Sequence, residues 1–194
     1  MRRWQITGRH LGRVPEDWRA RLASRLGSRP RRVGTWVELA LFGALACMDD
    51  AGEATLDEAA LLTVSSVHGP DAALRQALAE AREGPPLPIG FLNSQPGQVL
   101  PALARHLRWR GDGRCLTSRD PATALWLASP RAGAGGLLAG WVDEDAPGRS
   151  DWLRLVPAAN GPALRRGHFD DLRDPSMTCV GADADGVWIA PQDD

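Results

Sequence analysis

Few side chains in this sequence are equipped for covalent or proton-transfer chemistry. A hydroxyl nucleophile is offered by Ser118, in CLTSRDPATAL, where a strand-like run turns into a helix-like one. Such a turn sets a side chain beside the free N–H groups of a helix start, which can stabilise an oxyanion or a thiolate. His68, in SSVHGP just past an apolar run, is the histidine best placed to act as its base, and an ordinary turn residue is the other reading. Together they would make a Ser-dependent acyltransferase or thioesterase, but no carboxylate that would orient the histidine is identifiable. His10 and His168 fall in weakly patterned flanks, and His106 falls on the polar face of a helix. The three cysteines, Cys47, Cys115 and Cys179, form no CxxC pair, so neither a disulfide framework nor a zinc site is expected. Cys47 and Cys115 read as buried structural thiols. There is no lysine, which excludes Schiff-base chemistry. GxGxxG after a strand, a phosphate-binding GxxxxGK loop, HExxH and GxSxG are all absent. GADADG (181–186) lacks the rest of a calcium ligand ladder and reads as a surface turn. No cofactor and no metal is expected.

The elements that must position these residues follow from periodicity. Residues 15–27 carry Trp18, Leu22 and Leu26 at helical spacing. Residues 33–50 are apolar on nearly all sides and predict a buried helix. ALLTVSS (60–66) predicts a buried strand. Residues 69–84 predict an amphipathic helix with Ala73, Leu74, Ala77 and Leu78 inward and Gly84 as its stop. GPPLPIG then reads as a rigid extended loop, and a further helix runs from about Pro96 to Trp109. RCLTS (114–118) predicts a strand. Residues 120–129 predict a short helix with Asp120 as N-cap and Pro121 at the first helical position. Residues 135–145, 151–157 and 186–191 read as strands, with an irregular segment before the last. Strands alternating with helices argue for an α/β fold with a largely covered sheet.

The bulk properties bound the class. The 194 residues suffice for one domain with a real core, and 43% hydrophobic and 24% charged residues are ordinary for a soluble globular protein. No apolar run is long enough for a membrane span, and the basic start MRRWQITGRH has no apolar segment behind it, so the cytoplasm is expected. Charge is uneven. Residues 1–33 hold ten arginines against Glu16 and Asp17, whereas residues 143–194 hold eleven acidic residues against five arginines. The two ends either neutralise each other in the fold, or the basic arm meets an acidic partner. No nucleic-acid motif accompanies the arginines, so nucleic acid is not the expected partner.

Several segments, in order, resemble the N-terminal half of a β-ketoacyl synthase. PRRVGTWVELALFGALACM resembles the Arg-Arg and first long helix of that half. LTVSSVHGPDAALRQALAEAREGPPLPIGFLNSQPGQVLPALARHL resembles its strand, helix, Pro-containing loop and Asn-x-x-x-Gly helix entry, here Asn93 to Gly97. CLTSRDPATALWLA and GAGGLLAGWVDED stand where the family carries its Thr-Ala-Cys-Ala-Ser-Gly nucleophile motif and the strand after it. The resemblance covers about residues 28 to 145. It is nearest to short ketosynthase-like proteins found with aryl-polyene pigment biosynthesis.

The resemblance implies a thiolase-like fold, half a ketosynthase, with a mixed sheet covered by helices. Residues 1–194 would then be a single truncated domain, with 1–33 an Arg-rich N-terminal arm and helix, and 146–194 added strands. Ser118 falls where the family's nucleophilic Cys stands, and the register leaves Thr117 to Asp120 as alternatives; none is Cys. Cys115 comes three residues too early. The family's two decarboxylating histidines belong to a second half for which this chain leaves no length. A non-catalytic, chain-length-factor-type partner of a full-length ketosynthase is the expected role, reaching an acyl carrier protein through that subunit. Asn93, Gly97, Trp109, Cys115, Thr117, Ser118 and Trp141 are its interface candidates. In this reading Gly97 allows close approach of two backbones; otherwise it marks an ordinary helix start. The Ser118–His68 enzyme and a stand-alone homodimeric binding protein are the alternatives.

Overall fold

The computed structural model describes residues 1–85, 87–145 and 148–191. Its centre is one eight-stranded mixed sheet. In chain order the elements are β1 (Arg3–His10), α1 (Trp18–Leu26), α2 (Thr35–Asp50), β2 (Leu61–Ser66), α3 (Asp71–Glu83) and α4 (Pro88–Asn93). They continue as α5 (Val99–Leu107), β3 (Gly113–Thr117), α6 (Pro121–Ala128), β4 (Leu137–Asp143), β5 (Arg149–Pro157), β6 (Arg165–Gly167), β7 (Met177–Asp183) and β8 (Gly186–Pro191). The strands lie in the order β3-β2-β4-β5-β1-β7-β8-β6. β2 pairs in parallel with both β3 and β4, and the other pairings are antiparallel.

Helices cover both faces. α2 lies across β1, β4 and β5, with α1 and α5 packed on it. Its burial on nearly all sides explains why its sequence is apolar all round. The contact with β5 is close because of Gly43, whose missing Cβ leaves room for the Trp152 indole and the Ser150 hydroxyl. On the opposite face α6 packs on β2, β4, β7 and β8 above a core that includes Trp4, Leu137, Leu155 and Val180.

Four expectations are corrected. The Arg-rich N-terminus is no arm: β1 is an interior strand between β5 and β7, with Trp4 fully buried. Arg9 donates to the carbonyls of Leu172, Asp174 and Met177, and Arg2 to those of Ser129 and Ala132. Arg19 and Arg29 pair with the buried Glu38, and Arg25 with Asp49. These arginines are therefore engaged by carbonyls and carboxylates of the same chain. GPPLPIG is not an extended loop throughout, since α4 begins at Pro88; a proline is compatible with a first helical turn, where its missing N–H would have had no partner. Pro86 of that loop lies outside the described residues, as do 146–147 and 192–194. The irregular stretch before β8 contains β6, a short 3-10 turn at Phe169–Arg173, and β7. His168 caps that turn, and His10 lies in β1 edge-on to Phe42, so neither sits in a loose flank. Finally, Leu74 and Leu78 of α3 point outward, at 42% and 55% exposure, and Ala77 is that helix's buried residue.

Candidate functional site

The carboxyl ends of β2 and β3 lie side by side because the strands pair in parallel, Ser66 opposite Thr117. The Ser118 N–H continues the ladder by donating to the Ser66 carbonyl at 3.1 Å. The Ser66 hydroxyl accepts from the Gly69 N–H at 2.7 Å and folds the His68 turn. Gly69 has φ +67, a left-handed backbone that favours glycine. The turn at Pro96–Gly97 closes over this end: the Pro96 ring lies beside Gly69, and the Cys115 thiol donates to the Pro96 carbonyl at 3.4 Å. His68, Gly97, Cys115, Thr117 and Ser118 are thus brought to one end of the sheet.

The chemistry there is muted. Ser118 is buried, and its hydroxyl donates to the Asp120 carbonyl at 2.9 Å, within its own turn. His68 is exposed. The start of α6, where an oxyanion would gain most, is filled by the Asp120 carboxylate. It accepts from the Thr123 N–H and from the Thr123 hydroxyl, both at 2.8 Å. Pro121 supplies no N–H to that turn. A second negative charge placed there would meet the first, so the helix start does not activate Ser118. Burial pushes the half-buried Cys115 thiol up to about 11, which keeps it protonated at neutral pH. The Cys47 thiol is raised further by deeper burial. Among the described residues, no group of three or more His, Cys, Asp or Glu could hold a metal ion.

The remaining candidates separate from this end or change role. Trp109 is buried, its indole N–H donating to the Ala60 carbonyl at 3.2 Å, so it serves the chain's own core. Trp141 on β4 is also buried, beside Ser65 in the sheet. Their size suggested an interface; Trp109 packs in the cluster with α2 and α5 instead, and Trp141 lies on the α6 side of the sheet near Ala124, Leu125 and Phe169. Asn93 ends α4 and faces Gly34 at the start of α2. A Cβ at Gly97 would meet nothing within 4 Å among the described residues beyond its own turn.

A feature that residue chemistry did not reveal lies next to this end. α3 packs on α4, and α4 on the Pro96–Gln98 turn. The pair exposes Leu74, Leu78, Leu87, Ile89, Phe91 and Leu92, between 39% and 62% each. Large apolar side chains exposed on adjacent helices are the kind of surface that contact sites use. The sequence signal was the run LPIGFL, apolar yet placed in a loop.

No protein-family model matches the chain, and no curated protein does. Solved structures do. A ketosynthase (ApeO) in complex with its chain length factor (ApeC) from Xenorhabdus doucetiae matches with a TM-score of 0.60 at 15% identity, over 96% of this chain and 95% of that one. The fold is thiolase-like. The match takes in β1 and the C-terminal strands, beyond the 28–145 segment that carried the sequence resemblance. Two more structures share the thiolase-like fold. The ishigamide ketosynthase/chain length factor matches with a TM-score of 0.51 at 20% identity, over 73% of this chain and 47% of that one. A type II polyketide synthase acyl-carrier protein in complex with its ketosynthase bound to the hexaketide matches with a TM-score of 0.57 at 10% identity, over 81% of this chain and 63% of that one. No helix among the described residues is long and apolar enough to cross a membrane.

Proposed function

We propose that this chain is a non-catalytic, chain-length-factor-type partner of a full-length ketosynthase. It acts with that subunit in elongating acyl chains on an acyl carrier protein, in aryl-polyene or related polyketide-type synthesis, in the cytoplasm. The observation that carries this reading is the exposed apolar face of α3 and α4 beside the β2–β3 end. A homologous subunit seated there would remove those six side chains from water, which stabilises a complex. β3 supports the same side, because it is an edge strand with one side unpaired in the sheet. Likeness in fold to structures named as ketosynthase–chain length factor complexes fits this arrangement. In this reading Asn93, Gly97, Cys115, Thr117 and Ser118 lie at or near the interface, and the open space at Gly97 receives the partner's backbone. The tethered Ser118 hydroxyl and the Asp120 carboxylate at the helix start accord with a subunit that holds no acyl group.

Light-scattering mass of the chain, alone and co-expressed with a ketosynthase encoded near it, tests the proposal. A 1:1 heterodimer is expected, with poor yield or aggregation of the chain alone. A stable homodimer or monomer that ignores the ketosynthase overturns it. Ser118→Ala is expected to leave product formation by the complex unchanged; its loss would restore the enzyme reading.

A further inference from the structure

The loop between α1 and α2 and the last turn of α5 face each other across a cleft of about 350 Å³. Arg29 and Arg31 line it from the loop, and Arg105 and His106 from α5; the partly exposed Leu26, Val33 and Ala102 contribute apolar wall. No carboxylate lines it. Clefts elsewhere that hold arginines also hold acids: Arg149 and Arg166 share theirs with Asp120, Asp170 and Asp185, and Arg21 and Arg25 theirs with Asp49. The chain has as many acidic residues as it needs for balance, 24 against 23 arginines, so their absence from this cleft is a matter of placement.

The side chains are also arranged for an anion. Arg29 is tethered by Glu38, to which its Nε donates at 2.9 Å, so one wall is held in place before any ligand arrives. Arg31 and Arg105 are exposed at the rim, where their guanidinium forks are free to close on oxygen atoms. His106 is partly buried next to Arg105, and both lower its pKa; a bound anion opposes that shift. With Arg29 already paired to Glu38, the guanidiniums of Arg31 and Arg105 offer two positive charges, which suit a dianion better than a single carboxylate. The apolar wall suits a body attached to it.

We propose that this cleft binds a phosphate monoester, its phosphate held by Arg31, Arg105 and His106 and its organic body resting on Leu26, Val33 and Ala102. None of the lining residues belongs to α3 or α4, so the site does not depend on the partner proposal. Calorimetric titration of the full chain, alone or in its complex, with phenyl phosphate, inorganic phosphate and phenylacetate tests it. Phenyl phosphate is expected to bind saturably and about tenfold more tightly than either of the others. Arg31→Gln with Arg105→Gln should weaken it at least tenfold while leaving the melting temperature unchanged, because both side chains are exposed. Equal binding of phenyl phosphate and inorganic phosphate would remove the organic body from the proposal. No saturable binding of phenyl phosphate, or binding indifferent to the double substitution, overturns it.

Discussion

At the residue scale, the decisive contrast is between a side chain's type and its partners. Ser118 stands where a nucleophile would be useful, yet its proton is directed to the Asp120 carbonyl and the helix start beside it is already negative. Cys115 is a thiol close by, but partial burial holds its pKa near 11. This gives a prediction with a definite sign. At pH 7 the thiolate fraction of Cys115 should be about a hundredfold below that of an ordinary thiol. Alkylation by iodoacetamide, mapped by mass spectrometry, should therefore be slow at Cys115 at neutral pH and rise steadily toward pH 11. A rate at pH 7 like that of a free thiol would show an activated cysteine and reopen the catalytic reading. The same contrast governs the tryptophans. Trp109 and Trp141 are the kind of residue that anchors interfaces, but the chain uses both in its own core.

At the element scale, α3 and α4 are the informative pair. Helical spacing predicted α3 with Ala73, Leu74, Ala77 and Leu78 inward; the helix exists, but Ala77 is its buried residue. What spacing cannot state is what covers a stripe, and here Leu74 and Leu78 are left open beside α4. Leu78→Asp and Phe91→Asp should each abolish the complex with the ketosynthase in co-purification, since a charge would be buried without a partner. Neither should lower the melting temperature of the isolated chain by more than a degree or two, because both side chains are exposed in it. A large loss of stability in the isolated chain would mean that the face is part of the fold. α6 was legible to the residue: Asp120 caps it and Pro121 opens it, as the sequence predicts. A cap is set by local chemistry, so a local reading recovers it.

At the scale of the whole molecule, the position of β1 matters most. It joins the β5 side of the sheet to β7 and β8, and it seats α2, whose Cys47 carbonyl and Ala51 leave no room for a Cβ at Gly8. Deleting residues 1–10 should therefore abolish cooperative unfolding by circular dichroism. An arm that merely docks an acidic partner could be removed with little effect on the melt, and that outcome would contradict the interior strand.

The sequence by itself determined the α/β class, α1, α2, α3, α5 and α6, and strands β2, β3, β4, β5 and β8. These depend on periodicity, caps and β-branched runs, all of which act over a few residues. Through the order of its motifs it also pointed to the thiolase-like fold, now seen in the match to solved structures. It did not determine β1 or β7. Arginines flank a short apolar alternation in RWQITGRH, and the Arg9 guanidinium is met by carbonyls distant in sequence, those of Leu172, Asp174 and Met177. Nor did it determine which apolar faces stay open or which cations share a cleft without an acid. Both are relations between segments tens of residues apart, and only tertiary structure, by deciding what is withdrawn from water and next to what, fixes them.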